Sequence, residues 1–286
     1  MIDSIQSLTL AIIFFTLTLI VILNYSRQNR FQFGYYLTYT WIFFLSFVSV
    51  RYFSLNVGVW ILAILSFIAL REYLSLIDIR LQDRLGILGA YLSIPFMYHF
   101  VKTEWYGMFI ISIPVYSFLA IPLLVTLGGR KSKGTVFSIG AIDFGLFLFV
   151  FCLGHVGYLL HFGFWKPILL VLNILICDIV ILIVKGKSEK TWRNCIYLCL
   201  IPLPFTVALS CVMSSWSGIS TFHSCALGTM IPLLVLMGHH LGEYIKEDLG
   251  VSDNALFPGR GQILDNLKSF FFAAPVAFHY IRYFLT

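Results

Sequence analysis

Ten apolar runs divide the sequence, most of them close to the length that a helix needs to cross a bilayer. A membrane-spanning α-helix requires about 20 predominantly apolar residues. Because backbone inside lipid must satisfy its own hydrogen bonds, such runs predict helices. The runs lie near residues 5–24, 34–50, 54–70, 85–100, 106–127, 135–162, 166–184, 195–213, 218–238 and 269–285. We therefore predict an all-α polytopic membrane protein with about ten transmembrane helices.

Composition excludes the other broad classes of protein. Of the 286 residues, 59% are apolar and 11% are charged, whereas soluble domains carry about 25% charged residues. So few charges could not cover a large core in water, which excludes a soluble globular enzyme. The net charge of +6 would suggest nucleic acid in a soluble protein. No basic block is interleaved with aromatic residues on a polar segment, however, and we expect no nucleic-acid partner.

The basic residues are distributed unevenly between the loops, which predicts the orientation of the chain. Fifteen of the 19 Lys and Arg residues lie in loops that follow odd-numbered runs, and four lie on the other side. Cytoplasmic loops of membrane proteins are rich in Lys and Arg. We therefore expect the N-terminus outside and an integral protein of a bacterial inner (plasma) membrane. Residues 1–130 and 131–286 are predicted to be the N-terminal and C-terminal parts of a single membrane unit.

The N-terminus and the six cysteines carry no recognisable processing or metal signal. The first apolar run follows Asp3 without a basic stretch, so we expect it to remain as a span and not to be a cleaved signal peptide. The cysteines lie mostly inside apolar runs, and no C-x-x-C occurs. Packing is therefore favoured over disulfides or a zinc site.

A long polar segment, residues 239–268, precedes the last apolar run and is the first candidate site. It lies on the predicted cytoplasmic side, where a loop on a rigid scaffold often carries function. Glu243 and Lys246 are at helical spacing. The Pro-Gly-Arg-Gly stretch at 258–261 could bring backbone N–H groups close to a phosphate, although most such loops are plain turns.

The same segment contains the residues of a known C-terminal signature. That signature reads Gly-Asp, a short helix with Ser and Lys-Arg, Lys-Asp, Leu-Pro-Gly-His-Gly-Gly, Asp-Arg-x-Asp-Ser, and a closing apolar span with Ala-x-Pro. The positions that match it in order are Gly238, Lys246, Gly250, Asp253, Pro258, Gly259, Gly261, Asp265, Ser269, Ala273 and Pro275. On these residues the chain resembles the phosphatidate cytidylyltransferases, also called CDP-diacylglycerol synthases.

Three upstream features extend the resemblance over most of the chain. Residues 67–77, Phe-Ile-Ala-Leu-Arg-Glu-Tyr-Leu-Ser-Leu-Ile, are similar to an early Leu-x-Glu-x-x-x-Leu segment of that family. Asp178 fits an intramembrane Asp of the family. Ser188, Lys190 and Thr191 fit its Ser-Pro-x-Lys-Thr motif with one residue fewer. The resemblance thus implies a fold like that of a CDP-diacylglycerol synthase.

The resemblance also implies an activity and a set of site residues. The family joins CTP to phosphatidate, giving CDP-diacylglycerol and pyrophosphate, so membrane phosphatidate and CTP are the implied partners. Mg²⁺ is the implied cofactor, because carboxylates suit a hard cation that screens two anionic reactants. Its implied ligands are Asp178, Asp253 and Asp265, which form the catalytic set together with Lys190. The residues implied to hold the substrates are Ser188, Lys246, Gly259, Arg260 and Gly261.

Several positions depart from the signature. His239 and Lys268 stand where the family has Asp, and the loop after Asp178 is about ten residues shorter than the family's. A lysine in place of a metal-site carboxylate reverses the local charge. At ~4 Å and an effective dielectric constant near 20, one unit pair of charges amounts to about 4 kcal/mol. We therefore expect one bound Mg²⁺ in preference to two.

Three functions stand as hypotheses on this sequence. The first is a membrane-embedded cytidylyltransferase acting on phosphatidate or a related lipid phosphate. The second is a catalytically degenerate relative that binds lipid or regulates a partner enzyme. The third, a transporter with a broken-helix site, rests only on paired short runs. A homodimer is left open.

Two further polar features receive structural interpretations. His239 and His240 are adjacent, so on a helix they point in different directions and cannot chelate one ion together. We interpret them as interface residues. Asp143 matches no motif, and we interpret it as a buried, hydrogen-bonded carboxylate or as the partner of a kink.

Overall fold

A computed structural model describes residues 2–26, 33–128, 132–185, 192–251 and 262–285. Within these ranges the chain forms fourteen α-helices and no β-strand, which confirms the predicted all-α class. The helices are α1 (Ile2–Ser26), α2 (Phe33–Tyr52), α3 (Leu55–Ser75), α4 (Arg84–Lys102), α5 (Tyr106–Ile111), α6 (Phe118–Gly128), α7 (Thr135–Leu146), α8 (Leu153–Leu159), α9 (Trp165–Lys185), α10 (Trp192–Leu200), α11 (Leu203–Ser217), α12 (Thr221–Asp248), α13 (Gln262–Leu267) and α14 (Phe270–Leu285).

Seven helical stretches of the described residues are long and apolar enough to cross a membrane, which makes this an integral membrane protein. They are Ile5–Leu23, Leu55–Ser75, Tyr106–Gly128, Thr135–Phe162, Trp165–Val184, Ile196–Ser217 and Thr221–Asp248. The predicted count of ten is therefore not reached. All ten apolar runs form helices, but the runs in α2, α4 and α14 do not qualify as spans among the described residues.

The apolar runs in α2, α4 and α14 fail to qualify as membrane spans for three different reasons. Helix α4 carries Arg84 at its start and both His99 and Lys102 in its last turn, so it is less apolar than its length suggests. Helix α14 has 16 residues, about 24 Å of helix against a hydrocarbon core of about 30 Å. The side chains of α2 are described only from Leu37 onward. The side of the membrane on which each loop lies stays a prediction.

Two of the spans are interrupted by π-helical turns. Ser112–Ser117 joins α5 to α6, and Phe147–Cys152 joins α7 to α8. The second turn lies within the run 135–162, which is longer than a bilayer crossing requires, since 28 residues of helix extend about 42 Å. A π-helical turn inserts one extra residue into the hydrogen-bond ladder of an α-helix. The side chains after the turn therefore point in a different direction around the helix axis than they would in an uninterrupted helix.

Asp143 lies four residues before the second π-helical turn. Its side chain is buried, and neither carboxylate oxygen has a hydrogen-bond partner in the part of the chain that the structure describes. The hydrogen bond expected from the sequence is therefore not present among those residues. Asp143 lies one helical turn ahead of Phe147–Cys152, and the alternative interpretation, that of the partner of a kink, stays a prediction.

Aromatic side chains from the first and second halves of the chain pack into one core. Phe43 of α2 stacks on Phe270 of α14 with ring centroids 4.5 Å apart. Phe109 of α5 lies edge-on to Phe278 of α14 at 6.0 Å. Phe43, Phe109 and Phe278 are fully buried. Helices before and after residue 130 thus share apolar contacts, while the division of the chain at that residue stays a prediction.

Helices α11 and α12 form a hairpin that is packed through small residues. A side chain at Gly228 would place its Cβ 2.8 Å from Val207 Cα, and Thr206 Oγ1 donates a hydrogen bond to Gly228 O at 2.7 Å. Small residues of this kind let transmembrane helices approach closely. The same hairpin brings the free thiols of Cys211 and Cys225 together, with 3.0 Å between the two Sγ atoms.

This contact makes the hairpin testable by cross-linking. Brief treatment of membranes with copper–phenanthroline is expected to join Cys211 to Cys225, because the two thiols already touch. Mass spectrometry after maleimide labelling should show both thiols protected. Cys225→Ser should leave Cys211 reactive, and Cys152→Ser, at a buried position elsewhere, serves as the control. Protection of Cys211 that persists in Cys225→Ser would contradict the packing of α11 on α12.

Candidate functional site

Polar side chains from several helices meet near one end of the bundle. The second half of α9 contributes Asp178, and the last third of α12 contributes residues 239–246. Helix α13 and the turn before α14 contribute residues 262–269, and the end of α3 contributes Glu72. Residues far apart in the sequence thus come into contact, and they do so through two buried clusters that are joined along the chain.

The first cluster surrounds Asp178. His239 Nε2 lies 2.8 Å from Asp178 Oδ1, and Ser269 Oγ donates a hydrogen bond of 2.5 Å to the same oxygen. The side chains of Asp178 and His239 are 5% and 7% exposed. An unpaired charge within a membrane span costs at least about 2.5 kcal/mol. These two contacts, one with His239 of α12 and one with Ser269 in the turn before α14, compensate the burial of Asp178 on α9.

The second cluster contains two lysines and two carboxylates. Lys246 Nζ donates to Asp265 Oδ2 at 2.8 Å. Lys268 Nζ donates to Asp265 Oδ1 at 2.9 Å and to Glu243 Oε1 at 2.8 Å. The lysine side chains are 5% and 3% exposed, whereas Asp265 and Glu243 are 29% and 20% exposed. The buried ammonium groups are therefore compensated by carboxylates that keep part of their surface accessible.

Asp265 is the carboxylate that the two lysines share. Burial raises the pKa of Asp265, but the nearby charges of Lys268 and Lys246, with their hydrogen bonds, outweigh burial and hold this pKa below its ordinary value of 3.8. Asp265 is consequently ionised at neutral pH. It acts as a fixed anion that keeps both ammonium groups in place.

Glu72 fixes the start of α13. Its Oε1 atom accepts a hydrogen bond of 2.8 Å from the backbone N–H of Ile263, and the Glu72 side chain is buried. The first N–H groups of a helix have no partner within the helix, and a carboxylate at this end is favourable. Glu72 belongs to the segment 67–77, so this part of the resemblance contains a residue that positions α13, the helix that carries Asp265 of the second cluster.

The structure describes three of the residues predicted to form the site. Asp178 lies in the first cluster, and Lys246 and Asp265 lie in the second. The remaining predicted residues lie outside the described part of the chain: Ser188, Lys190, Asp253, Gly259, Arg260 and Gly261. Asp178 and Asp265 have different hydrogen-bond partners, but Lys268 and Ser269, adjacent in the chain, connect the two clusters.

The described residues do not fit the Mg²⁺ site that the resemblance implies. Among them, no three His, Cys, Asp or Glu side chains are grouped as metal ligands would be. Each oxygen of Asp265 accepts from an ammonium group, and Asp178 Oδ1 accepts from Ser269 with His239 beside it. Because Asp253 lies outside the described residues, the expectation that it shares one Mg²⁺ with Asp178 and Asp265 stays a prediction.

Sequence reasoning missed the partners of the predicted residues. His239 was interpreted as an interface residue, and it contacts Asp178 instead. Lys268 was expected only to weaken metal binding and Glu243 had no assigned role, although both complete the lysine–carboxylate cluster. One signal was available in the sequence, because an intramembrane carboxylate such as Asp178 requires a donor. The sequence alone did not reveal which donor faces it.

Comparison with known proteins bears on the same segments. A model of the cytidylyltransferase family matches residues 34–284, a range that includes both clusters. The chain belongs to the cytidylyltransferase family. The match extends from α2 to α14 and confirms the family inferred from the signature residues, so the two clusters lie within a cytidylyltransferase scaffold.

Two relatives of this cytidylyltransferase-family chain define how far the similarity extends. The uncharacterized protein YnbB of Escherichia coli (strain K12) is 27% identical over 244 residues, which cover 77% of this chain and 78% of that protein. The chloroplastic phosphatidate cytidylyltransferase 4 of Arabidopsis thaliana is 34% identical over 97 residues, which cover 34% of this chain and 24% of the plant protein. The second similarity spans about a quarter of that enzyme, so its activity is a proposal for this chain.

Replacing Asp265 by Ala is expected to destabilise this cytidylyltransferase-family protein, because two buried ammonium groups lose the carboxylate that they share. Removing one partner of a buried ion pair costs about 3–5 kcal/mol, and we expect about 3 kcal/mol because Asp265 is partly exposed. The free energy of unfolding in detergent micelles measures the effect. Asp78→Ala, at an exposed position after α3, should change it by less than about 0.5 kcal/mol. Equal effects of the two substitutions would contradict the pairing.

The stabilisation by Asp265 should also depend on pH. Because the folded-state pKa lies below 3.8, the contribution is complete above that value and is lost as the pH falls through the lower, folded-state pKa. The difference in unfolding free energy between the wild type and Asp265→Asn is therefore expected to be constant near neutral pH and to shrink in acid. A difference that grows as the pH falls would show that the Asp265 pKa is raised instead.

Proposed function

We propose that the protein is a membrane-embedded cytidylyltransferase that transfers the cytidine monophosphate unit of CTP to phosphatidate or a related lipid phosphate. An oxygen of the lipid phosphate attacks the α-phosphorus of CTP and forms a new P–O bond. The bond from the α-phosphorus to the oxygen that bridges to the β-phosphorus breaks, and pyrophosphate leaves with the electron pair. With phosphatidate the products are CDP-diacylglycerol and pyrophosphate.

One observation carries the proposal: a buried Asp178–His239–Ser269 unit lies beside two buried lysines in a chain of the cytidylyltransferase family. Both reactants are anions, so a site that joins them requires fixed positive charge near the phosphates. The paired lysines supply that charge on α12 and just before α14. The similarity to a plant phosphatidate cytidylyltransferase over 97 residues supports the choice of lipid substrate.

The proposal gives each residue set a task. Lys246 and Lys268 lower the repulsion between the two anionic reactants, while Asp265 and Glu243 hold the lysines in position. The residues proposed to complete the nucleotide site are Ser188, Lys190, Gly259, Arg260 and Gly261. Participation of Mg²⁺ through Asp178, Asp253 and Asp265 stays a prediction, and no step of the reaction is assigned to it.

We place this site at the cytoplasmic face of a bacterial inner membrane. If all ten apolar runs cross the membrane, fifteen of the 19 basic residues lie between them on the side where α9 ends and α14 begins, and basic segments are retained in the cytoplasm. CTP is a nucleotide of the cytoplasm, so this orientation would give it access. Assembly into a homodimer stays a prediction.

A second candidate function is that of a catalytically degenerate relative. Such a protein would bind a lipid phosphate without converting it, or would regulate a partner enzyme. A specific observation favours this function: both oxygens of Asp265, an expected metal ligand, are engaged by lysines. A site of this kind retains positive charge for a lipid phosphate. The two candidates share the same residues and differ in whether a nucleotide reacts there.

An assay with purified full-length protein separates the candidates. In phosphatidate vesicles with Mg²⁺ and labelled CTP, the wild type is expected to form labelled CDP-diacylglycerol. Lys246→Gln should lower the rate by about 100-fold, the usual scale for one lost electrostatic contact at a reacting centre, since it keeps most of the side-chain volume but removes the positive charge that the proposal assigns to Lys246.

Lys133→Ala is the matched control, because this exposed lysine lies on the same predicted side and its contact with Arg80 uses the backbone carbonyl. Its rate should equal that of the wild type. Absence of labelled product from wild type that still co-purifies with phosphatidate would reject the enzyme and leave the binding function. Absence of both product and bound lipid phosphate would reject the enzyme and the lipid-binding function.

A further inference from the structure

We propose that the ammonium group of Lys268 is a resident cation that takes the place of a divalent metal ion between Glu243 and Asp265. Its Nζ atom lies 2.8 Å from Glu243 Oε1 and 2.9 Å from Asp265 Oδ1. The two carboxylates come from different elements, α12 and α13. Two converging carboxylates are the usual beginning of a hard-cation site, and here a side chain of the protein itself bridges them.

The position of Lys268 is built into the fold. Its side chain is 3% exposed and lies against Gly242 of α12, while its backbone lies against Gly238 one turn earlier. A Cβ atom at Gly242 would stand 2.6 Å from Lys268 Cδ, and one at Gly238 would overlap the Lys268 carbonyl oxygen. The absence of a side chain at Gly242 therefore leaves room on α12 for the lysine stem, and Gly238 leaves room for the Lys268 backbone. A lysine held in this way lies in one defined direction, unlike a surface lysine that samples many rotamers.

Charge balance explains why a divalent ion would not share the cluster. Lys246 also contacts Asp265, so two ammonium groups face the carboxylates of Glu243 and Asp265. A divalent ion placed between these carboxylates would meet both positive charges at close range, and both ammonium groups are buried. The chain has therefore replaced an exchangeable ion by a covalently attached one, and positive charge is present whether or not metal is available.

This inference concerns the cation between two carboxylates and does not depend on the proposed reaction. A protein without transferase activity could contain the same arrangement. It is therefore tested by metal binding and thermal stability, and a negative result in the transferase assay would leave it unaffected.

The test uses full-length protein in detergent micelles and Mn²⁺ as the probe, with free Mn²⁺ followed by electron paramagnetic resonance. Lys268→Gln keeps most of the side-chain volume and is expected to gain a Mn²⁺ site between Glu243 and Asp265. The affinity of this position for Mn²⁺ should rise at least roughly tenfold over that of the wild type. Adding Glu243→Gln to Lys268→Gln should abolish the gain. Lys133→Gln, on an exposed loop, should show no gain.

Thermal unfolding gives a second readout of the same site. Because a ligand that binds only the folded state stabilises it, Mn²⁺ should raise the Tm of Lys268→Gln but not that of the Lys268→Gln/Glu243→Gln double variant. The proposal is overturned if Lys268→Gln gains no Mn²⁺ site. Should that variant fail to fold, Glu243→Gln in the wild-type background decides: unchanged Mn²⁺ binding supports the proposal, and lost Mn²⁺ binding overturns it.

Discussion

The pairing of Lys268 with Glu243 and Asp265 holds together the end of the bundle where the candidate site lies. A buried ammonium group requires carboxylates, and these come from α12 and α13. Helix α13 is too short to be stable alone, so its position depends on such contacts and on the Glu72 carboxylate at its first turn. Compensation of buried charge thus determines how α13 lies against α3 and α12.

The same requirement connects the two clusters. Asp178 needs donors within an apolar span, and it obtains them from His239 on α12 and Ser269 before α14. Because Ser269 follows Lys268 directly, a shift of the turn between α13 and α14 would disturb both clusters at once. The geometry around Asp178 is therefore coupled to the lysine positions through the backbone of two adjacent residues.

The sequence predicts those features that depend on composition and local pattern, and it does not predict those that depend on how the helices pack. The helical class rests on long apolar runs, and the resemblance to the family implied a common site for Asp178, Lys246 and Asp265, whose helices lie near one another in the structure. His239 was missed because adjacent histidines occupy different helix faces, and only packing decides which face meets α9. The direction of Lys268 was equally hidden, since it depends on the room left at Gly242. Counting spans from hydropathy gave ten because it did not allow for the polar ends of α4 or the shortness of α14.

Residues 263–269 are anchored at both ends by hydrogen bonds to carboxylates. The Ile263 amide donates to Glu72, and the Ser269 hydroxyl donates to Asp178. Because both ends are fixed, the number of residues between them is constrained. Inserting a single residue within this segment would rotate everything downstream by about 100° around the helix axis, so Asp265 could no longer face Lys246 while Ser269 faced Asp178. The number of residues in the segment 263–269 is thus as important for the site as the identity of any side chain in it.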